Sequence, residues 1–270
     1  MSDEPAPPTV RDVADWWSTA VSRVEPNVIE LRGHPVQELI GGMSFVGVIW
    51  LLLRGQPPAP AQERLLEAAL VSSVDHGPHA PSIAVARIAA TCGIGLNNAV
   101  ASAVNTLGDV HGGAGEQCMR MLAEVTARVE AGEPIDRAAS SVVAEWRARS
   151  RYLPGYGHRF HTVDPRRDPL LQRVEEAVAD GTVAGTYLCA ATAVEQILAT
   201  GRDRAVPINV DGCTAVIYGE LGFAPPLARG LFVLSRSVGI LAHAWEETGQ
   251  GRRNKGPIPP SITPTYLKDT

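Results

Sequence analysis

The chain has 270 residues, 45% of them hydrophobic but only 5% aromatic, and a formal net charge of −5. That length buries a sizeable core, as one large domain or two small ones, and the shortage of aromatics predicts close-packed helices built from Ala, Val and Leu. The acidic balance, with no long Lys/Arg run, excludes nucleic acid and anionic membrane as general partners, so an anionic ligand must be met by local positive charge.

Residues 1–8 are acidic and proline-rich and read as a disordered lead. From Thr9 to Val24, a Thr cap and the spacing of Val13, Trp16, Trp17, Ala20 and Val24 predict a helix. Asn27 to Arg32 is β-branched and ends at Gly33, as a small strand or hairpin arm would. Ser44 caps an apolar helix, Phe45 to Leu53, which is far short of the roughly 20 residues that span a bilayer. Gly55 and Pro57-Pro58 stop it, and Ala59 to Val74 continues as an amphipathic helix.

From Ser82 to Leu107, Ala, Gly, Ser and Val dominate and Arg87 is the only charge. Such smooth helices pack closely, within the subunit or between subunits, and a dimer interface is the favoured reading. Two amphipathic helices follow, Gly113 to Ala131 and Ile135 to Arg149, then a glycine-rich loop, then helices over Asp168 to Ala179 and Val183 to Ala199. Val206 to Leu221 mixes β-branched residues with helical spacing. Pro225 starts a long helix to Glu247 whose Leu227, Leu231, Leu234, Val238, Leu241 and Trp245 form one apolar stripe. The tail after Gly249 is proline-rich and extended. The expected organisation is mainly α: a large helical lobe from 9–153 and 201–247, a small lobe from 154–200 and a tail from 248–270. Cys92, Cys118, Cys189 and Cys213 form no C-x-x-C pair and read as small core residues of a reduced, cytoplasmic protein with no metal site.

Chemistry concentrates in a few segments. In Pro154-Gly155-Tyr156-Gly157-His158-Arg159 a flexible backbone that approaches a ligand closely precedes a proton carrier, with Arg166 and Arg167 shortly after. His111, in Asp109-Val110-His111-Gly112-Gly113, precedes a helix start, where a neutral imidazole suits hydrogen bonding to a developing enolate; a plain turn histidine is the alternative. Asp211 is a lone carboxylate among apolar neighbours, fit for proton transfer at carbon or for capping a helix. Arg236, inside an apolar helix, needs a buried carboxylate or an anionic ligand. His76 sits at a helix end, as a cap or a carboxylate ligand.

Together, His111-Gly112-Gly113-Ala114, Pro154 to Arg159, Asn209-Val210-Asp211 and Ser235-Arg236-Ser237-Val238-Gly239, in this order, resemble the motifs of the citrate synthase superfamily. The likeness runs from about Asn27 to Glu247 and takes in Leu31 to Leu39 and Leu51 to Gly55, similar to the family's N-terminal hairpin and following helix. Only residues 56–74 join Gly55 to Asp75, where full-length citrate synthases carry a long helical insertion, so the build looks most like short citryl-CoA lyases and the C-terminal lyase module of ATP-citrate lyase.

The resemblance implies a citrate synthase-like helical fold with a large and a small lobe and a small N-terminal β-hairpin. It implies cleavage of citryl-CoA to acetyl-CoA and oxaloacetate in a homodimer or higher oligomer, with no cofactor beyond the coenzyme A of the substrate. His111, His158 and Asp211 would be catalytic; His76, Arg166 or Arg167, and Arg236 would hold carboxylates. Pro154, Gly155, Tyr156 and Gly157 would cradle the adenine of CoA, with Arg159 near its phosphates. Arg252 or Arg253 is a loose counterpart of the family's arginine donated by a neighbouring subunit. A condensing citrate or methylcitrate synthase and a non-catalytic scaffold are the competing readings.

Overall fold

The computed structural model describes residues 9–150, 152–158, 161–200 and 206–267. The lead at 1–8, Arg159 and part of the tail lie outside the described residues. Those described fall into two compact units that divide after Arg64.

The first unit opens with α1 (Val10–Trp16), whose capping box joins the Thr9 hydroxyl and the Asp12 carboxylate. The helix predicted to reach Val24 therefore ends about two turns earlier. Val24 pairs instead with Ile29, in an antiparallel hairpin of β1 (Ser22–Glu25) and β2 (Val28–Leu31), to which β3 (His34–Pro35) adds a third strand. The two-residue turn places Asn27 at φ 65°, which asparagine tolerates. After α2 (Val36–Leu39), Ser44 caps α3 (Phe45–Arg54) by accepting the Gly47 N–H at 2.9 Å, and Gly55 closes the helix at φ 83°. α4 (Pro60–Ser73) spans the division between the units.

The second unit is helical: α5 (Pro81–Ala90), α6 (Leu96–Val104), α7 (Ala114–Glu130), α8 (Ile135–Arg149), α9 (Arg167–Ala179), α10 (Thr186–Ala199), α11 (Val210–Glu220) and α12 (Pro225–Gly249). α11 is buried along most of its length and packs against α7, α9 and α10. The ambiguous segment from Val206 is resolved by a β-bridge between Ile208 and Tyr156, after which Asn209 caps the helix.

The small-residue faces of α5 and α6 are satisfied inside the subunit. Ile83, Ala86, Ala99 and Ala103 form a cluster with Ile240 and Ala244 of α12. α12 consequently turns its small residues inward, burying Ala228, Ser235, Gly239 and Ala244 together with Leu231 and Ile240. The apolar stripe divides: Leu231 is core, whereas Leu234, Val238, Leu241 and Trp245 are exposed. Close helix approach needs small side chains, so the large ones are displaced to the outside. Among the described residues α12 is the one helix long and apolar enough to cross a bilayer, yet here it is a core helix with Arg236 and Glu247 buried in protein. The cysteines also divide. Cys118 and Cys213 are buried as expected, but Cys92, in the turn after α5, and Cys189, on α10, are exposed.

Candidate active site

A short strut fixes two of the candidate residues. The Gly155 carbonyl accepts the Asn209 N–H at 2.9 Å, Gly157 N–H donates to the Pro207 carbonyl at 2.7 Å, and Asn209 Nδ2 donates to the Gly157 carbonyl at 2.6 Å. Gly155 is required there: at φ 80°, a Cβ would lie 2.4 Å from Cys118 Sγ and 2.9 Å from Gly212 Cα. Asn209 Oδ1 accepts the N–H groups of Asp211 and Gly212, so Asn209 is the helix cap. Asp211 is thereby released from capping and stands in the first turn of α11. The strut sets His158, on one arm, against Asp211, just beyond the other.

The His111 turn is held from two sides. Its Nε2 accepts the Ser82 N–H at 3.1 Å, at the start of α5, and lies 3.0 Å from Ser82 Oγ. An Nε2 that accepts a backbone N–H leaves the ring proton on Nδ1, so His111 is a fixed donor at Nδ1. On the other side Arg229 of α12 reaches Asp109 at 2.5 Å and Glu116 at 2.6 Å, bracketing the turn. Gly112, at φ 98°, accommodates Phe232, whose ring would lie 2.9 Å from any Cβ.

His76, His111, His158, Arg166, Asp211 and Arg236 line one cavity of about 370 Å³. Arg236 is 5% exposed, donates from Nε to the Ser73 carbonyl at 3.0 Å, and lies 4.9 Å over the Phe232 ring. No carboxylate among the described residues forms an ion pair with it. A buried guanidinium opening on a cavity without such a pair is a receptor for an anion. Its own burial lowers its pKa, against the pull of Asp75 and Asp211.

The two arginines left open by the sequence are separated. Arg166 lines the cavity and makes a bidentate pair with Asp164, 2.9 Å at each oxygen. Burial pushes the Asp164 carboxyl up, but hydrogen bonds from Arg166 outweigh it and hold the pKa at about 2. Arg167 does not line the cavity and is engaged by Asp168 and Glu195 at 2.6 and 2.9 Å.

Titration in the cavity follows burial. It raises the pKa of Asp211, with Arg166 and Arg236 opposing. It lowers that of His111, helped by Arg236, and that of His76, helped by Arg166 and Arg236. His158 is also lowered by burial, against the pull of Asp164. Its Nδ1 accepts the His161 N–H at 3.1 Å, and its ring is 5.5 Å from that of His76. Burial in the site thus favours the neutral form of the imidazoles and of the Asp211 carboxyl, which face fixed guanidinium groups.

Pro154, Gly155, Tyr156 and Gly157 do not line the cavity. Gly155 and Tyr156 are buried behind it, with the Tyr156 hydroxyl donating to the Ala191 carbonyl at 3.0 Å. Two working residues were missed in the sequence. Ser82 follows Pro81 at a helix start, where a free N–H is available to a ligand; Asp164 lies two residues before Arg166, within reach of a bidentate pair.

Residues 54–258 match the family described as citrate synthase, C-terminal domain. The citrate synthase of Acidithiobacillus ferridurans is 28% identical over 217 residues, 78% of this chain and 53% of its own length; that of Haloferax volcanii is 29% identical over 82% of this chain and 56% of its own. The chain thus spans about half the length of these curated relatives. Among solved structures, citryl-CoA lyase from Hydrogenobacter thermophilus superposes with a TM-score of 0.81 at 30% identity, over 94% of this chain and 95% of that one. Citrate synthase from Thermotoga maritima gives 0.65 at 25% identity, over 84% and 60%. ATP citrate lyase from Methanothrix soehngenii, solved with citrate and coenzyme A, shares the fold at 0.78 and 23% identity, over 100% and 47%. With its motifs gathered around one cavity in a mainly helical fold, the chain belongs to the citrate synthase family.

Proposed function

We propose that the protein is a citryl-CoA lyase, cleaving citryl-CoA to acetyl-CoA and oxaloacetate. The observation that carries the chemistry is the meeting of His111, a donor at Nδ1, with the buried carboxyl of Asp211, whose pKa burial raises, in a cavity floored by the carboxylate-free Arg236. Arg236, and Arg166 beside its Asp164 partner, give two guanidinium groups on the cavity wall, the number of free carboxylates on a citryl thioester. His76 adds a neutral hydrogen-bonding ring.

In cleavage, the tertiary hydroxyl loses its proton as its C–O becomes the ketone of oxaloacetate, and the electrons of the broken carbon–carbon bond pass to the thioester as an enolate. His111 Nδ1–H hydrogen-bonds the enolate oxygen, and Asp211 delivers its proton to the methylene carbon to give the methyl of acetyl-CoA. His158 faces the hydroxyl. With Nδ1 accepting the His161 N–H, the neutral ring carries its own proton on Nε2. Taking the hydroxyl proton at Nε2 requires the other tautomer and release of the His161 amide, and leaves an imidazolium; solvent then carries a proton from it to the Asp211 carboxylate. The half-buried Pro154 and Gly157 remain for contact with the adenine of CoA, and Arg159 for its phosphates.

The choice of lyase is supported by the end-to-end correspondence with the Hydrogenobacter lyase. The second reading, citrate or methylcitrate synthase, is supported by the sequence relatives named citrate synthase and requires thioester hydrolysis as well. A homodimer or higher oligomer in the cytoplasm completes the proposal. The test offers citryl-CoA and follows oxaloacetate, then offers acetyl-CoA with oxaloacetate and follows free CoA thiol. Oxaloacetate release without thiol release is expected; thiol release in the second assay overturns the lyase in favour of the synthase. Silence in both, from folded protein, favours a non-catalytic scaffold.

A further inference from the structure

One face of α12 is fastened along the chain that leads into His76. Ser235 Oγ donates to the Leu70 carbonyl at 2.5 Å and Arg236 Nε to the Ser73 carbonyl at 3.0 Å. One turn on, Gly239 lies so close that a Cβ would stand 2.3 Å from the Val74 carbonyl oxygen and 3.0 Å from Asp75 Oδ1. A further turn on, His243 Nε2 meets Asp75 Oδ2 at 3.3 Å. These contacts recur at the three- and four-residue spacing of a single helix face, matched to the last turn of α4 and the residues that lead from it to Asp75.

Asp75 then works in the opposite direction. Its Oδ2 accepts the Gly77 N–H at 3.0 Å. Gly77 takes φ 73°, so the chain reverses sharply just past His76. The carboxylate, on the residue before His76, therefore ties the amide that follows His76 to a ring carried by α12. His243 is well placed to hold it: its Nδ1 is buried with no hydrogen-bond partner among the described residues, leaving Nε2 as the nitrogen directed at Asp75.

We propose that Asp75 and His243 are a positioning pair that locks the backbone turn at His76, so that the His76 ring and Arg236 present one preformed receptor to a substrate dicarboxylate. Neither residue lines the cavity; both act through His76. The inference rests on the dicarboxylate reading of the site for its consequence, but the lock itself is independent of ligand.

The two are separated by measuring them apart. In ligand-free protein, the ring resonances of His76 are followed by NMR for wild type, His243→Leu and His243→Gln. The leucine variant is expected to shift and broaden the His76 signals, and the glutamine variant, which keeps a donor for Asp75, to restore them. Unchanged His76 signals in His243→Leu overturn the lock. An equal disturbance in both variants does so too, since it would report lost packing alone.

Oxaloacetate is then titrated calorimetrically without any CoA compound. Loss of a hydrogen bond to a charged group predicts roughly tenfold weaker binding for His243→Leu, with most of it recovered in His243→Gln. Wild-type affinity in the leucine variant overturns the consequence for substrate. Failure of wild type to bind oxaloacetate, with the NMR pattern as expected, counts against the proposed function and leaves the lock supported. Should His243→Leu not fold, Asp75→Asn is read in the same two ways, with unchanged His76 signals again overturning the pair.

Discussion

Asp211 is unfavourable to the fold at neutral pH and useful to the chemistry for the same reason. Burial raises its pKa, so the folded protein binds its proton more tightly than the unfolded chain does. The penalty is full above the folded pKa and disappears as pH falls below the unfolded value near 3.8. Asp211→Asn is expected to raise the melting temperature at pH 7, with the gain shrinking toward pH 4, while cleavage of citryl-CoA falls by roughly two to four orders of magnitude. Thermal melts across pH together with single-turnover rates check both halves. Asp164 has the opposite sign: its stabilisation is present above pH 3.8 and lost as pH falls through about 2. That shift corresponds to about 2 kcal/mol, so Asp164→Asn should lower stability at pH 7 by an amount of that order, measurable by urea unfolding.

At the scale of elements, the strut between 155–157 and 207–209 carries the relative placement of His158 and Asp211. Gly155→Ala would need both a positive φ and room that Cys118 and Gly212 already occupy. Its cost is expected to be roughly 2 kcal/mol or more, with loss of turnover before loss of secondary structure by circular dichroism. How legible this was in the sequence differs by feature. Helix positions were readable because apolar spacing and caps are local, and the catalytic candidates because His111, His158, Asp211 and Arg236 stand in recognisable motifs. Long-range pairing was not readable. Val24 entered a hairpin because a partner strand was available, and Gly155 and Gly157 proved to be committed to the backbone of 207–209, which no local signal announces. Arg166 was separated from Arg167 only by the direction each side chain takes from neighbouring positions.

For the molecule as a whole, the exposed Leu234, Val238, Leu241 and Trp245 form an outward apolar strip on α12, while α5 and α6 bury their small faces within the subunit. If a second copy covers that strip, Trp245→Glu should shift the protein from dimer to monomer in light scattering, with the helix content unchanged; a dimer of wild-type affinity would place the contact elsewhere. Glu247, 1% exposed, joins Arg87 at 2.6 Å and Lys255 at 3.1 Å, and so moors the tail to α5 and α12.

α12 thus carries four stations in series: Arg229 at the His111 turn, Arg236 in the cavity, His243 behind His76, and Glu247 at the tail. At 1.5 Å per residue, the distance from Arg229 to His243 is about 21 Å of rigid helix. The helix is a ruler, and its graduation is fixed by chain length as much as by chemistry. Removing one residue between Arg229 and Arg236 would rotate the later stations by about 100° relative to the first, leaving every functional side chain present but Arg236, His243 and Glu247 out of register with Arg229.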